Sequence, residues 1–291
     1  MSREFGSVAV RLALPKGRMQ EEVITLLAEA GIRVHWGGRN YRPALSLSGF
    51  TAKLLKPQNV IEMLHVGSRD IGFAGADWVA ELEAKVVELL DTGLNPVRLV
   101  AAAPADLLVD GRLPDQPLVV ASEYERLTLD WIRRQGLRAT FVRSYGATEV
   151  FPPEDADCIV DNTASGVTLS ENRLAIVDEL MTSSTRLYAH PRALDDPRRR
   201  EAIESFVLLL RSVLDARERV MLEINVPADR LEAIVAVLPC MRRPTISHLY
   251  GETAYAVKAA VPRRDLPALI PAIKKHGGTD IVVTAPDQLV P

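Results

Sequence analysis

Cysteine is scarce: Cys158 and Cys240 are the two thiols in 291 residues, and they lack metal-ligand spacing. That excludes a disulfide scaffold and a cysteine zinc site, and it suits a reducing compartment. Long apolar runs are missing too, with nothing approaching the roughly 18 residues that span a bilayer. The first residues show no charged segment leading into a long apolar one, so a soluble cytoplasmic protein without a membrane partner is expected. Neither sign of charge dominates, since 35 Lys and Arg against 38 Asp and Glu leave a net −3. No nucleic-acid partner is expected, and any affinity for phosphate must be local. Hydrophobic residues still make up 47% of the chain, enough for the cores of two or three domains.

The most informative stretch is Cys158 to Leu169. Cys158-Ile159-Val160 reads as a strand buried on both faces that stops at Asp161, followed by small hydroxylated residues and Gly166. Val167 to Asn172 reads as the first turn of a helix, so backbone N–H groups point out of a strand-to-helix turn. Such a turn favours an anion: Gly166 lets the backbone approach a phosphate, and the hydroxyls of Thr163, Ser165 and Thr168 can donate to it. Asp161 at the mouth, an acceptor only, suits ribose hydroxyls or a metal shell. The competing reading is that Asp161 and Thr163 merely cap the helix.

Along the rest of the chain, Val8 to Leu14 reads as a first strand, Pro15-Lys16-Gly17-Arg18 as a turn, and Met19 to Ala30 as a helix stopped by Gly31. Lys16 and Arg18 then stand at the carboxyl end of a strand, the ligand side of an open α/β sheet, unless they are only a solvated turn. Two short strands are expected between Ala44 and Leu55, a helix over Asn59 to His65, and a glycine-rich strand, Ile71 to Ala74, with Asp77 capping a helix from Trp78 to Leu82. Asp91 to Pro96 reads as a break before a second unit, which holds strands at Pro117 to Ser122 and Leu137 to Val142, a helix at Glu123 to Gln135, and a turn at Tyr145 to Glu149. Strands alternating with helices predict a mainly parallel sheet in each unit. Leu174 to Val177 and Ser184 to Ala189 are strand-like, the second returning the chain to the first unit, and Asp196-Pro197 opens a long helix. Arg198-Arg199-Arg200 in its first turn reads as a solvated face.

From Arg219 the pattern becomes strand, helix, strand pair, helix, strand, which describes a ferredoxin-like βαββαβ module. Such a module covers one sheet face with helices and leaves the other for a partner or ligand.

Read together, Leu12 to Arg18, Gly67 to Asp77, Gly146-Ala147-Thr148-Glu149, Asp161 to Leu169, Ser184 to Leu187 and the tail from Leu238-Pro239 through Pro244 to Ser247 and Gly277-Gly278 resemble the long form of the ATP phosphoribosyltransferase family, the first enzyme of histidine biosynthesis, almost end to end. The resemblance implies an α/β fold of two periplasmic-binding-protein-like (type II) lobes around a cleft plus a C-terminal ferredoxin-like, ACT-like domain: residues 1–94 with 183–217 as lobe I, 95–182 as lobe II, and 218–291 as regulatory domain. It implies joining N1 of ATP adenine to C1 of phosphoribosyl pyrophosphate with release of pyrophosphate, Mg²⁺ as cofactor, feedback inhibition by histidine, and a homo-oligomer, either dimer or hexamer.

Carried over by that resemblance, Asp161 holds the ribose hydroxyls, Glu149 belongs to the ribose or metal shell, a metal would meet Glu149 and Asp161 mostly through substrate phosphates, and Thr163, Ala164, Ser165, Gly166, Val167, Thr168 and Leu169 hold the 5′-phosphate. Lys16, Gly17, Arg18, Arg42 and Lys56 face ATP or pyrophosphate, with Asp70, Gly75 and Asp77 as further ATP-side candidates; Glu223, Thr245 and Ser247 are placed near the histidine effector. The chain departs from the family in two places. Lys56-Pro57-Gln58-Asn59 stands where an arginine followed by acids is usual, and Asn162-Thr163 replaces an apolar pair. Two other classes compete: a binding module that closes on a small anion without catalysis, and a phosphoribosyltransferase for a free base, which would show a second acid where Asn162 stands.

Overall fold

Short apolar runs become strands, and the residues after several of them turn the chain into a helix. In this computed structural model, which describes residues 9–38 and 41–291, the order is β1 (Val10–Pro15), α1 (Met19–Glu29), β2 (Val34–His35), β3 (Ala44–Leu45), β4 (Phe50–Leu55), α2 (Pro57–His65), β5 (Ile71–Gly75), α3 (Ala76–Glu81) and β6 (Val87–Pro104). Then come β7 (Leu118–Ser122), α4 (Glu125–Gln135), β8 (Ala139–Arg143), β9 (Cys158–Thr163), α5 (Val167–Glu171), β10 (Leu174–Ala189), α6 (Pro191–Asp195) and α7 (Pro197–Glu218). The tail adds β11 (Arg219–Pro227), α8 (Leu231–Val237), β12 (Thr245–His248), β13 (Ala254–Pro262), α9 (Leu266–Lys275) and β14 (Thr279–Thr284). Val8, expected to begin the first strand, lies outside the described residues.

The described residues form two compact units, one of the chain up to Thr25 with Ile32–Glu204, the other of Leu26–Gly31 with Ser205–Pro291. The first holds a single eight-stranded mixed sheet in the order β4-β1-β5-β10-β6-β9-β7-β8, where two mainly parallel sheets were expected. Two parallel trios, β4-β1-β5 and β9-β7-β8, flank an antiparallel ribbon of β6 and β10. The expected break at Asp91 to Pro96 lies inside β6, and the two strand candidates after Leu174 are one strand, β10. The turn residues there carry positive φ, Gly93 at 65° and Asn95 at 47°, beside register shifts in the pairing with β10. They mark bulges in a long ribbon, because cross-strand hydrogen bonds on both sides hold the chain extended.

The register sets where ligands can go. Gly75, the last residue of β5, stands opposite Thr185, which pairs with Leu94 of β6. Thr163, the last residue of β9, stands opposite Arg98 of the same strand. The trios run in opposite directions, so their carboxyl ends converge on the middle of the ribbon. A continuous core containing Ala13, Val60, Trp78, Leu99, Val120 and Val160 supports both trios.

The tail unit is a four-stranded antiparallel sheet, β12-β13-β11-β14, which is the expected ferredoxin-like order. Burial alternates along β11, where Val220, Leu222, Ile224 and Val226 pack with Ile234 of α8 and Ile273 of α9. Met221, Glu223 and Asn225 alternate with them, are only partly buried and belong to the other face.

Gly72 in β5 has no room for a side chain: a Cβ there would sit 2.6 Å from Val60 Cγ1 and 3.2 Å from the Ala13 carbonyl oxygen. Gly72→Ala is therefore expected to destabilise the protein by about 1–3 kcal/mol through overpacking, read as a lower denaturant midpoint at unchanged slope.

Candidate active site

The turn after β1 is built on Gly17, whose φ of +86° is a left-handed conformation suited to glycine. It projects Lys16 and Arg18 to either side. Lys16 Nζ lies 4.9 Å from the centroid of the Tyr41 ring and 3.5 Å from its hydroxyl. Lys16, Gly17 and Lys56 from one trio, with Glu123, Tyr145 and Gly146 from the other, line a cavity of about 850 Å³. That volume falls within the range of small-molecule sites and is large enough for a nucleotide. Lys56 occupies the residue before α2 with Pro57 at its first position, so the first turn of that helix also borders the cavity.

Arg18 faces a second, smaller cavity of about 250 Å³, lined by Glu149 and by the loop from Asp161 to Ser165 and Val167 to Leu169. Gly166 adopts a φ of +81° and makes the turn. Its N–H donates to Thr163 Oγ1 at 3.0 Å, and that of Val167 to Ser165 Oγ at 3.4 Å. Both hydroxyl oxygens are occupied as acceptors, so their protons remain to be donated to a ligand. Here the expectation is corrected in two ways: β9 continues past Asp161 to Thr163, and α5 is only five residues long. So short a helix carries little macrodipole, and the groups here that could attract an anion are Arg18 and the loop's hydroxyls and amides.

The Asp161 carboxyl is pushed up to about 6, first by burial and then by the negative charges of Glu149 and Glu123, against the opposing hydrogen bond from the Asn162 N–H and the charge of Arg18. Loss of water is the larger effect, and a ligand's hydroxyl groups would supply the missing donors. Glu149 and Asp161 both line this cavity. Among the described residues no group of three or more His, Cys, Asp or Glu is placed to hold a metal ion. Two carboxylates fit Mg²⁺ only if substrate oxygens complete its shell.

The other expected residues divide. Arg42 lines neither cavity. Asp70 lies at the amino end of β5, away from the ligand side, where it accepts the backbone N–H, Nε and Nη2 of Arg11 at 2.7, 3.0 and 2.8 Å, with Arg199 at 3.7 Å. Burial alone would raise its pKa, but the Arg11 hydrogen bonds outweigh that and hold it low. Asp70 is thus a structural ion pair, and Arg199 is half-buried beside it, where a solvated face had been expected. Asp77 does not cap a helix, because Gly75 is the N-cap residue and makes no side-chain cap bond. Asp77 is buried and accepts from Ser183 Oγ at 2.9 Å and from the Tyr124 hydroxyl at 2.7 Å. Gly75 makes space for it, since a Cβ there would fall 2.0 Å from Asp77 Oδ1. Sequence reasoning missed Tyr124, Ser183, Glu123 and Tyr145; the first residues after β7 and β8 carry the same ligand-side signal that pointed to Lys16.

In the tail, Glu223 pairs with Lys258 at 2.6 Å, and Lys258 stands opposite Thr245, so all three share one face of the sheet. Ser247, opposite Ala256, lies one row further on the same face.

An α/β unit with a hydroxyl-lined loop beside a cavity large enough for a nucleotide, followed by a ferredoxin-like tail, suits an enzyme that handles phosphorylated ligands. A profile of ATP phosphoribosyltransferase matches residues 56–212, and one of the HisG C-terminal domain matches 216–286. The chain is 36% identical over 287 residues to an ATP phosphoribosyltransferase of Pelotomaculum thermopropionicum, covering 97% of this chain and 99% of the relative. It is also 36% identical over 277 residues to one of Chlorobium phaeovibrioides, covering 94% of each. Among solved structures it resembles the ATP phosphoribosyl transferase (HisG:HisZ) complex from Thermotoga maritima, with TM-score 0.63 and 28% identity over 71% of this chain and 98% of that one. The chain belongs to the ATP phosphoribosyltransferase family.

Asp161 gives this site a stability signature. Its folded pKa of about 6 lies above the usual carboxyl value of 3.8, so between those limits the folded state binds more protons than the unfolded state. Stability therefore falls as pH rises through that window. Asp161→Asn is expected to raise stability at neutral pH by about 1–3 kcal/mol while cutting turnover. A thermal melt at pH 7.5 that shows Asp161→Asn less stable than wild type would mean the carboxylate supports the fold.

Proposed function

We propose that phosphoribosyl pyrophosphate binds with its 5′-phosphate in the smaller cavity and ATP in the larger one, with the reaction at the Lys16–Gly17–Arg18 turn. The observation that carries this reading is that the one turn borders both cavities, Lys16 and Gly17 the larger and Arg18 the smaller. The hydroxyls of Thr163, Ser165 and Thr168 with the loop amides hold the 5′-phosphate, and Asp161 accepts from the ribose hydroxyls.

Adenine N1 attacks C1 of the ribose with inversion as the bond from C1 to pyrophosphate breaks. N1 carries a lone pair and no proton near neutrality, so no general base is required. Positive charge develops on the ribose ring beside Asp161 and Glu149, and negative charge on the leaving group beside Lys16 and Lys56, while Arg18 faces the 5′-phosphate. Preorganised charges of both signs and fixed orientation supply the catalysis. Glu149 and Asp161, the two carboxylates among the described residues that line this cavity, would hold Mg²⁺ together with substrate phosphates, and the ion would supply positive charge for the departing pyrophosphate. Retention of Asp161, Ser165, Gly166 and Thr168 favours this reading over a binding module.

The tail is the sensor. Histidine binds on the open sheet face, its ammonium to Glu223 and its carboxylate to Lys258, and a second copy of the chain covers the same face in a dimer or hexamer.

Folded protein with ATP, phosphoribosyl pyrophosphate, Mg²⁺ and a pyrophosphatase should yield phosphoribosyl-ATP by mass spectrometry, and no product would sink the enzymatic reading. Asp161→Ala should lower turnover by a factor of order 10². In the tail, Glu223→Ala should weaken histidine inhibition by at least about tenfold at unchanged uninhibited turnover, the loss expected on removing one charge-assisted contact. Inhibition constants that stay within twofold of wild type would move the effector site elsewhere.

A further inference from the structure

Asn162 stands where the family resemblance leads to an apolar residue, and a buried polar chain determines how its amide points. The chain starts in the ribbon. Ser183 Oγ donates to Asp77 Oδ1 at 2.9 Å and accepts the Asp77 N–H at 3.1 Å. The Tyr124 hydroxyl donates to Asp77 Oδ2 at 2.7 Å, and its ring stacks on Trp78 with centroids 4.6 Å apart. Asp77, Tyr124 and Ser183 are each at least 95% buried, so no water can substitute for a missing partner.

Polarity then propagates outward. The Tyr124 proton is committed to Asp77, which leaves its oxygen free only to accept. The group facing it must donate, and Asn162 Nδ2 does so at 3.0 Å. With Nδ2 turned inward, Asn162 Oδ1 is turned toward the cavity, 3.5 Å from Arg18 Nη2. The four side chains come from β9, the start of α4, α3 and β10, so the relay ties the phosphate loop to the other trio.

We infer that Asn162 is a positioning residue for phosphoribosyl pyrophosphate: its amide, oriented by Ser183, Asp77 and Tyr124, holds the Arg18 guanidinium over the 5′-phosphate cavity. A leucine would preserve the volume and lose both functions. An arginine without an acceptor beside it samples many rotamers, and ordering it becomes part of the cost of binding. The inference rests on the assignment of the smaller cavity to the 5′-phosphate.

The test compares wild type, Asn162→Leu, Arg18→Ala and the double variant for KM of each substrate, equilibrium binding of phosphoribosyl pyrophosphate, and melting temperature. Asn162→Leu should raise KM for phosphoribosyl pyrophosphate about tenfold, leave KM for ATP within twofold, and leave the melting temperature near wild type. In the Arg18→Ala background the same change should add less than twofold. A full additional penalty there, or a KM shift below twofold in the single variant, overturns the inference while an active wild type keeps the functional reading. An inactive wild type that binds no phosphoribosyl pyrophosphate overturns both. Should Asn162→Leu fold poorly, Tyr124→Phe breaks the chain at its middle and retains the aromatic stack; it should raise the same KM about threefold, and an unchanged KM overturns the inference.

Discussion

The arrangement depends on the antiparallel ribbon of β6 and β10. A parallel trio leaves the groups at its carboxyl ends unpaired within the sheet, and a single trio would present them to open solvent. Because β5 pairs with one part of β10 and β9 pairs with a different part of β6, the trios point at each other across the ribbon's middle. That register gathers Lys16, Lys56, Glu123 and Tyr145, which are far apart in sequence, around one cavity. The 18 residues of β6 and 16 of β10 are what permit it, since shorter strands could not serve two trios at separate places. Gly93 and Asn95, in the middle of β6, bend that ribbon at the level of the site.

Most elements were legible as short apolar runs with turn residues beside them, and the loop that lines the smaller cavity was legible because Asp161, three hydroxyl residues and Gly166 sit together at a strand end. The ribbon was not. Asp91 to Pro96 has turn composition, and local propensity has no access to the partner strand that overrides it; only pairing with β10 makes an extended conformation favourable. Asp77 failed for a related reason. An acid ahead of an amphipathic run is a good cap signal, but Tyr124 and Ser183, 47 and 106 residues away, offered its carboxylate two buried donors. Asp70 was drawn to the site by its place in a glycine-rich run, yet it precedes β5, and the amino end of a strand faces the opposite side of the sheet. The tail was the easiest part, because its βαββαβ order has few alternative topologies.

Polar groups are placed in this core at a cost. A buried carboxylate with imperfect partners destabilises a fold, and Asp161 shows the strain as a raised pKa, whereas Asp77 is matched by donors at both oxygens. The contrast lies in their partners: Asp161 accepts the Asn162 N–H at 2.7 Å and faces the smaller cavity, whereas Asp77 is held by Tyr124 and Ser183. Asp70 is a third case, saturated by Arg11 on the far side of the sheet and available to no ligand.

The substitution of lysine for an expected arginine at position 56 fits the same logic. An arginine fork can fix a phosphate by itself through two parallel N–H bonds, while an ammonium attracts it without fixing its orientation. Here Lys56 precedes α2, whose nine residues give a helix end with real partial charge, unlike the five of α5. The helix amides are directional where the ammonium is not, so Lys56 and the first turn of α2 together can hold an anion in one orientation. Pro57 at the start of α2 presets the backbone for that turn and removes an N–H that has no partner within the helix. The orientation lost with a guanidinium is thereby recovered from backbone geometry for an anion that approaches along the helix axis.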